Sequence, residues 1–161
     1  MFTIIKRYFI KNIILDIETN GLNHKKNNIL QVAYNICDHN FNILNEQNLF
    51  INNSNEKNII DLLYKDIYEC NNIYGHNIDF DMRFIEYKFN YYGYKHKNIN
   101  KIDTMKISKD IVKCRNKLGN IKYPKLKELY KYYYPNTIDE KKLHTADYDV
   151  FLTRLICKKI I

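Results

Sequence analysis

Apolar residues along the 161-residue chain follow two periodicities, which divide it into ten elements. Residues 12–17 (NIILDI) are a short Ile-rich run, the pattern of a strand buried on both faces. Residues 29–37 (ILQVAYNIC) have the same character. Asp38, His39 and Asn40 make a polar turn, and residues 41–51 then alternate, with Phe41, Ile43, Leu49 and Ile51 apolar. Together these segments predict an antiparallel meander. The period then changes, because Ile59, Ile60, Leu63, Ile67 and Cys70 recur at helical spacing over residues 56–70. A brief strand at 72–75 leads into a helix over 78–92, with Met82, Ile85, Phe89 and Tyr92 on one stripe. Residues 101–102 suit an edge strand, and 104–112 a short helix. Pro124 suits the first position of a helix to Tyr133, where its missing N–H leaves nothing unpaired, and Pro135 ends it. Residues 147–159 form the last helix, with Phe151, Leu155 and Ile156 inward.

Three antiparallel strands followed by alternating helices and strands make a mixed sheet with helices on its faces, an α/β fold. The length predicts a single domain over residues 11–161, preceded by an N-terminal arm or strand extension at 1–10. It leaves no room for a polymerase or a separate tether domain. Only 4 Gly and 2 Pro exclude low-complexity linkers. No apolar run approaches the length of a spanning helix, so no membrane association is expected. Lys6 and Arg7 interrupt the apolar N-terminus, and no small-residue cleavage site follows. An intracellular protein, cytoplasmic or nuclear and not secreted, is therefore expected. Cys37, Cys70, Cys114 and Cys157 lack any zinc-site spacing and read as reduced, mostly buried thiols.

Lys and Arg number 26 against 18 Asp and Glu, a formal net charge of +8. Abundant Lys, Asn, Ile and Tyr are what AT-rich coding gives, so the excess by itself says little about a polyanionic partner. Its location says more. Residues 95–131 hold 12 Lys and Arg against 3 Asp and Glu, a net +9, whereas the rest of the chain is near neutral. That segment is expected to form a surface for a nucleic-acid backbone.

Three clusters carry candidate chemistry. Asp16 and Glu18 are two apart at the end of the first strand, so both face one side of the sheet, where their charges repel. The plain reading is a pair of exposed acids leading into the Asn20-Gly21 turn. The second cluster, residues 75–81 (GHNIDFD), places Asn77 as an N-cap and Asp79 in the first helical turn. Asp81 falls beside Phe84 and Ile85, surroundings an unpaired acid does not favour. His76 reads as a satisfied strand-end histidine. In the third cluster, residues 144–149 (HTADYD), Thr145 can cap the last helix, with His144 just outside it and Asp149 within.

In this order and on these elements, the clusters resemble the DnaQ-like, or DEDDh, family of 3′–5′ exonucleases within the ribonuclease-H-like superfamily. Residues 16–22 (DIETNGL) are similar to its first motif, D-x-E-T-T-G-L, with Asn20 in place of the second Thr. Residues 74–84 (YGHNIDFDMRF) resemble the second motif, whose acid matches Asp81 and not Asp79. Residues 144–149 resemble the third, and Asp103-Thr104 and residues 123–130 (YPKLKELY) are similar to stretches between the second and third. A sister subfamily carries Tyr four residues before the last acid. Here that position is Thr145, and His144 stands five before, which favours the histidine form.

The resemblance implies a ribonuclease-H-like fold with a mixed five-stranded sheet. It implies phosphodiester hydrolysis at single-stranded DNA or RNA 3′ ends, releasing nucleoside 5′-monophosphates. Asp16, Glu18, Asp81 and Asp149 are implied as holders of two divalent cations, Mg²⁺ or Mn²⁺, hard ions that prefer oxygen ligands. His144 is implied as the base, suited by an ordinary pKa near neutrality. Thr19, Gly21, Leu22, Asn77 and Phe80 are implied as substrate contacts. An RNA-trimming exoribonuclease or oligoribonuclease shares these motifs. A non-catalytic nucleic-acid-binding module of the same fold is disfavoured by the presence of all five functional residues. A polymerase or replication and repair partner, with a proofreading role, and homodimerisation stay open.

Overall fold

The computed structural model describes residues 10–95, 98–135 and 138–161, so the arm expected at 1–10 lies outside the described residues apart from Ile10. β1 (Asn12–Thr19) lies at the centre of a five-stranded sheet. β2 (Ile29–Cys37) pairs antiparallel with one side of β1, and β3 (Ile43–Phe50) pairs antiparallel with β2. On the other side β4 (Asn72–Gly75) runs parallel to β1, and β5 (Asn100–Asp103) parallel to β4. The sheet order is β3-β2-β1-β4-β5, the mixed sheet of a ribonuclease-H-like α/β fold. The helices are α1 (Glu56–Glu69), α2 (Ile78–Tyr91), α3 (Thr104–Ile107), α4 (Lys109–Val112), α5 (Leu126–Tyr133) and α6 (Ala146–Ile160).

Strand alternation sends successive β1 residues to two different cores. Ile13, Leu15 and Ile17 join Ile60, Leu63 and Ile67 of α1 and Ile78, Met82, Ile85 and Phe89 of α2. Ile14 faces the opposite side, with Ala33, Cys37, Phe41, Tyr74 and the α6 residues Ala146, Val150 and Cys157. A third cluster, including Leu126, Leu129, Tyr130, Leu152 and Ile156, seats α5 on α6. The helical stripes read in α1 and α2 are therefore their buried faces. Cys37, Cys70 and Cys157 are buried, Cys114 is half-buried and all four thiols are free, as expected.

Local chemistry moves several boundaries. Phe41 precedes β3 in a turn, with φ 59, because Asp38 Oδ1 accepts the N–H groups of Asn40 and Asn42. Phe41 is still buried, under α6 rather than as a strand residue. The helix expected over 104–112 breaks at Ser108, whose buried hydroxyl donates back to the Thr104 carbonyl. α5 starts at Leu126, two residues after Pro124. Phe151 is not inward: it is 41% exposed, and the inward face of α6 carries Val150, Leu152, Thr153, Ile156 and Cys157. A one-residue phase error on a helix rotates the chosen face by about 100°.

One buried polar pair ties β2 to α1. The Tyr34 hydroxyl donates to Asp66 Oδ2 at 2.7 Å, with both residues buried. Tyr34→Phe leaves that carboxylate oxygen without its donor and is expected to cost about 1–3 kcal/mol. A urea midpoint equal to that of the native chain contradicts this assignment.

Candidate active site

β1 outruns β4. Their ladder runs from Asn12–Asn72 to Ile14–Tyr74, so the end of β1 has no strand on that side. The first turn of α2 takes the place of one: Asp81 Oδ1 accepts the Ile17 N–H at 3.2 Å. Gly75 permits the tight passage from β4 into α2. A Cβ there would lie 2.6 Å from Ile78 Cδ1 and 3.1 Å from the Leu15 carbonyl oxygen. Asn77 then turns the chain in the left-handed region at φ 69, which Asn tolerates better than most residues. It occupies the N-cap position, but its side chain makes no capping hydrogen bond, contrary to expectation. Its backbone N–H donates instead to Asp103 Oδ1 at 3.0 Å, and Met105 N–H donates to the same oxygen at 2.9 Å.

Asp16 and Glu18 have the same strand parity as Ile14, so they face α6. There they meet Asp149, and ligand oxygens of Asp16, Glu18 and Asp149 all lie within 4.8 Å of one another. α6 is set in place by Ala146, which is fully buried, and by Gln31 on β2, whose Oε1 accepts the Ala146 N–H at 3.3 Å. Gln31 Nε2 also donates to Asn48 Oδ1 and Asp147 Oδ1. Thr145 sits at the N-cap, but its hydroxyl donates to the Lys142 carbonyl, so the expected side-chain cap is not made. Its carbonyl accepts the Tyr148 and Asp149 N–H groups.

The electrostatics follow from this convergence. Burial pushes the Asp16 carboxyl well above the usual range, and the charges of Asp81, Asp149 and Glu18 push it further. Asp81, 4% exposed, is raised well above the range by burial against the relief given by the Ile17 N–H, with Asp103 and Glu18 adding to the rise. Burial and Asp149 raise Glu18, and burial and Asp147 raise Asp149. His144 opposes both of the latter shifts by its charge, and its backbone N–H also bonds to the Asp149 carboxylate, which sets the residue beside Asp149. It is exposed, with φ 66, in the turn before α6.

Among the described residues, the fold thus gathers Asp16, Glu18, Asp81, Asp149 and His144 at one end of β1. Asp79, two residues before Asp81, forms an exposed ion pair with Lys106. Of the expected substrate contacts, Thr19 donates its hydroxyl to the Gly21 carbonyl at 2.7 Å, bracing the turn that follows β1. Leu22 is 86% exposed, which rules out a core role. Phe80 is half-buried against the α2 core and packs on Phe84 with ring centroids 5.2 Å apart. Asn77 is exposed. One positioning residue went unrecognised in the sequence, Gln31, since a lone Gln inside an apolar strand carries no local signal. Asp103 stands out there only as part of a motif-like stretch, and its bonds to the Asn77 and Met105 N–H groups give it a positioning role. His76 is satisfied, as its context suggests: Nε2–H donates to the Pro124 carbonyl at 3.0 Å, and Nδ1 lies 3.1 Å from Thr104 Oγ1.

The residues fit divalent cations. The donor set is all oxygen, as hard ions require. Asp149 Oδ1 is buried without a hydrogen-bond partner among the described residues, and a buried carboxylate oxygen left unpaired is costly.

Residues 13–151 match the family described as the RNase_H superfamily. The chain belongs to this superfamily. No curated protein matches it in sequence. Solved structures of E. coli Exonuclease I share the fold. With a bound dT13 oligonucleotide, that enzyme superposes with a TM-score of 0.77 at 16% identity, over 94% of this chain and 41% of its own. Its 5cy-dA13 complex gives 0.73 at 17% identity, over 92% and 40%. A zinc-bound form in complex with single-stranded DNA gives 0.71 at 16% identity, over 92% and 40%. This RNase_H superfamily chain spans about two-fifths of the length of those chains.

The raised carboxyl pKa values set a pH dependence for the metal-free protein. An acid whose folded pKa exceeds its unfolded value contributes stability at low pH, and that contribution disappears as pH rises through the elevated value. Asp16→Asn removes one of these charges while keeping the shape. In chelator at pH 7.5 it is expected to melt about 2–4 °C above the native chain, with the gap closing toward pH 4. Manganese is expected to raise the native melting temperature and leave the variant's nearly unmoved. Parallel pH profiles for the two proteins contradict the clustering argument.

Proposed function

We propose that the chain is a 3′–5′ exonuclease of the DEDDh type that hydrolyses single-stranded DNA or RNA ends and releases nucleoside 5′-monophosphates. One observation carries the reading: four carboxylates from β1, α2 and α6 converge with a histidine beside them. The likeness to Exonuclease I structures that hold single-stranded DNA, one of them with zinc, supports it. In this reading residues 11–161 are one catalytic domain.

Asp16, Glu18, Asp81 and Asp149 would hold two divalent cations, Mg²⁺ or Mn²⁺. Such ions would neutralise the clustered charge, acidify the attacking water and stabilise the leaving oxygen. Asp81 does more than add charge, because its bond to the Ile17 N–H locks α2 to the strand that carries Asp16. His144 takes the proton of the attacking water at its ring. Its exposed turn gives the ring freedom to approach a water held at the carboxylates of Glu18 and Asp149. Leu22, too exposed to serve the core, is free to pack on the terminal base. Phe80 stands one residue before Asp81, packed on Phe84, and the Thr19-braced turn would bring Gly21 to the sugar.

The test is a panel of 5′-labelled single-stranded DNA, matched RNA and a dinucleotide, each with Mg²⁺ and with Mn²⁺. The native chain is expected to shorten the label from the 3′ end and release mononucleotides. Asp16→Ala should abolish turnover. His144→Ala should lower kcat by about 10²- to 10⁴-fold while keeping the manganese-induced rise in melting temperature. Folded protein that leaves every substrate intact refutes the assignment, and undiminished turnover in either variant refutes that residue's role.

A further inference from the structure

The basic segment at 95–131 is less uniform in three dimensions than its sequence. Lys101 pairs with Glu86, Lys106 with Asp79, Lys122 with Glu128, and Lys127 and Lys131 with Glu140. Those lysines are spent within the fold. Lys109, Lys113, Arg115, Lys117 and Lys125 have no ion pair among the described residues, and they surround one feature. Residues 114–122 form a small β-hairpin closed by the Arg115–Ile121 bridge, with Lys122 N–H donating to the Cys114 carbonyl. Residues 115–121 are all exposed. At the tip Asn116 Oδ1 accepts the N–H groups of Leu118 and Asn120, and Gly119 turns the chain at φ 82. This bracing holds Leu118 outward at 85% exposure. Ile121 and Tyr123 are also exposed on the returning arm, at 42% and 47%.

The base of the hairpin is fixed near the carboxylates. Asn77, next to His76, donates its N–H to Asp103, and the charge of Asp103 reaches Asp81. The His76 ring holds the Pro124 carbonyl, just beyond the returning arm. On the outgoing side Val112 packs into the α5–α6 cluster, and α6 carries Asp149. Each arm has about four residues, so the tip reaches about 13 Å from that base. Glu128 of α5 balances Lys122 at the base, and among the described residues no carboxylate pairs with Lys113, Arg115 or Lys117.

We propose that this hairpin is a second nucleic-acid contact, which grips the sugar-phosphate backbone of a single strand through Lys113, Arg115 and Lys117 and stacks Leu118 on a base several nucleotides from the 3′ end. Its distance from a 3′ end rests on the exonuclease reading, and its binding of a strand does not. Charge complementarity selects the ligand, because exposed unpaired cations around an apolar tip suit a chain of phosphates bearing flat apolar bases.

The experiment is fluorescence anisotropy with labelled 20-mer single-stranded DNA and the matched RNA, in chelator so that hydrolysis is silent. The native chain is compared with Lys113→Ala/Arg115→Ala/Lys117→Ala and separately with Leu118→Ala. The triple variant should bind about 10- to 100-fold more weakly at 50 mM salt. Its slope of log affinity against log salt should be shallower by about 2, since each lost phosphate contact on a single strand is worth about 0.7. Leu118→Ala should weaken binding about fivefold or more with the slope unchanged. These side chains are exposed, and the one bond lost, from the Arg115 guanidinium to the Gly119 carbonyl, lies within the hairpin, so thermal melts of both variants should match the native chain. Equal affinity and slope in the triple variant overturn the proposal, as does a native chain that binds neither strand. A native chain that hydrolyses nothing yet binds through the hairpin sinks the exonuclease reading alone.

Discussion

The Ile17 N–H, left without a strand partner where β1 passes the end of β4, is claimed by Asp81 from the first turn of α2, and the site is organised around that bond. It fixes the helix to the strand at the level of Asp16, and it gives a buried acid one compensating donor. The other side of β1 is closed by α6, whose fully buried Ala146 and the Gln31 bridge bring Asp149 to Asp16 and Glu18. Four acids that repel one another are therefore clamped by elements whose positions are set elsewhere. The α1–α2 core holds Asp81, the α6 core holds Asp149, and the sheet ladder holds Asp16 and Glu18.

That division explains how the fold tolerates the cluster. The apolar cores supply the stability, and the acids relieve part of their repulsion by holding protons more tightly, as the upward shifts of Asp16, Glu18, Asp81 and Asp149 indicate. The same arrangement makes the strand's end the place where a divalent cation would relieve clustered charge. Membership of the RNase_H superfamily accounts for the scaffold. The proposed chemistry rests on the side chains that this scaffold brings to one edge. That edge also collects Asp103, His76 and the base of the basic hairpin, since parallel strands β1, β4 and β5 all end there.

Much of the architecture was legible because strands and helices bury opposite periodicities. NIILDI alternates between two cores, and the α1 and α2 stripes match their buried faces. Boundaries governed by side-chain hydrogen bonds were less legible. Asp38 pulls Phe41 out of β3, and the Ser108 hydroxyl breaks the helix after Ile107. Asn77 and Thr145 stand where caps belong, yet both helices begin without a side-chain cap, because Asn77 is left-handed rather than extended and the Thr145 hydroxyl turns to Lys142. Such choices depend on partners distant in the chain, which local propensity does not encode.

The five proposed functional residues illustrate the same limit from the other side. Their types and order, and the shared face of Asp16 and Glu18, follow from the sequence, since a two-residue spacing in a strand allows only one face. The concentration of positive charge between residues 95 and 131 is likewise a property of the chain. Tertiary structure alone decided which of those lysines remain unpaired, because pairing depends on where Glu86, Asp79, Glu128 and Glu140 come to lie. It alone brought Asp149, 133 residues from Asp16, to within 4.8 Å of it. It alone gave Asp81 its donor, since an unpaired N–H at Ile17 exists only when β4 stops short of the end of β1.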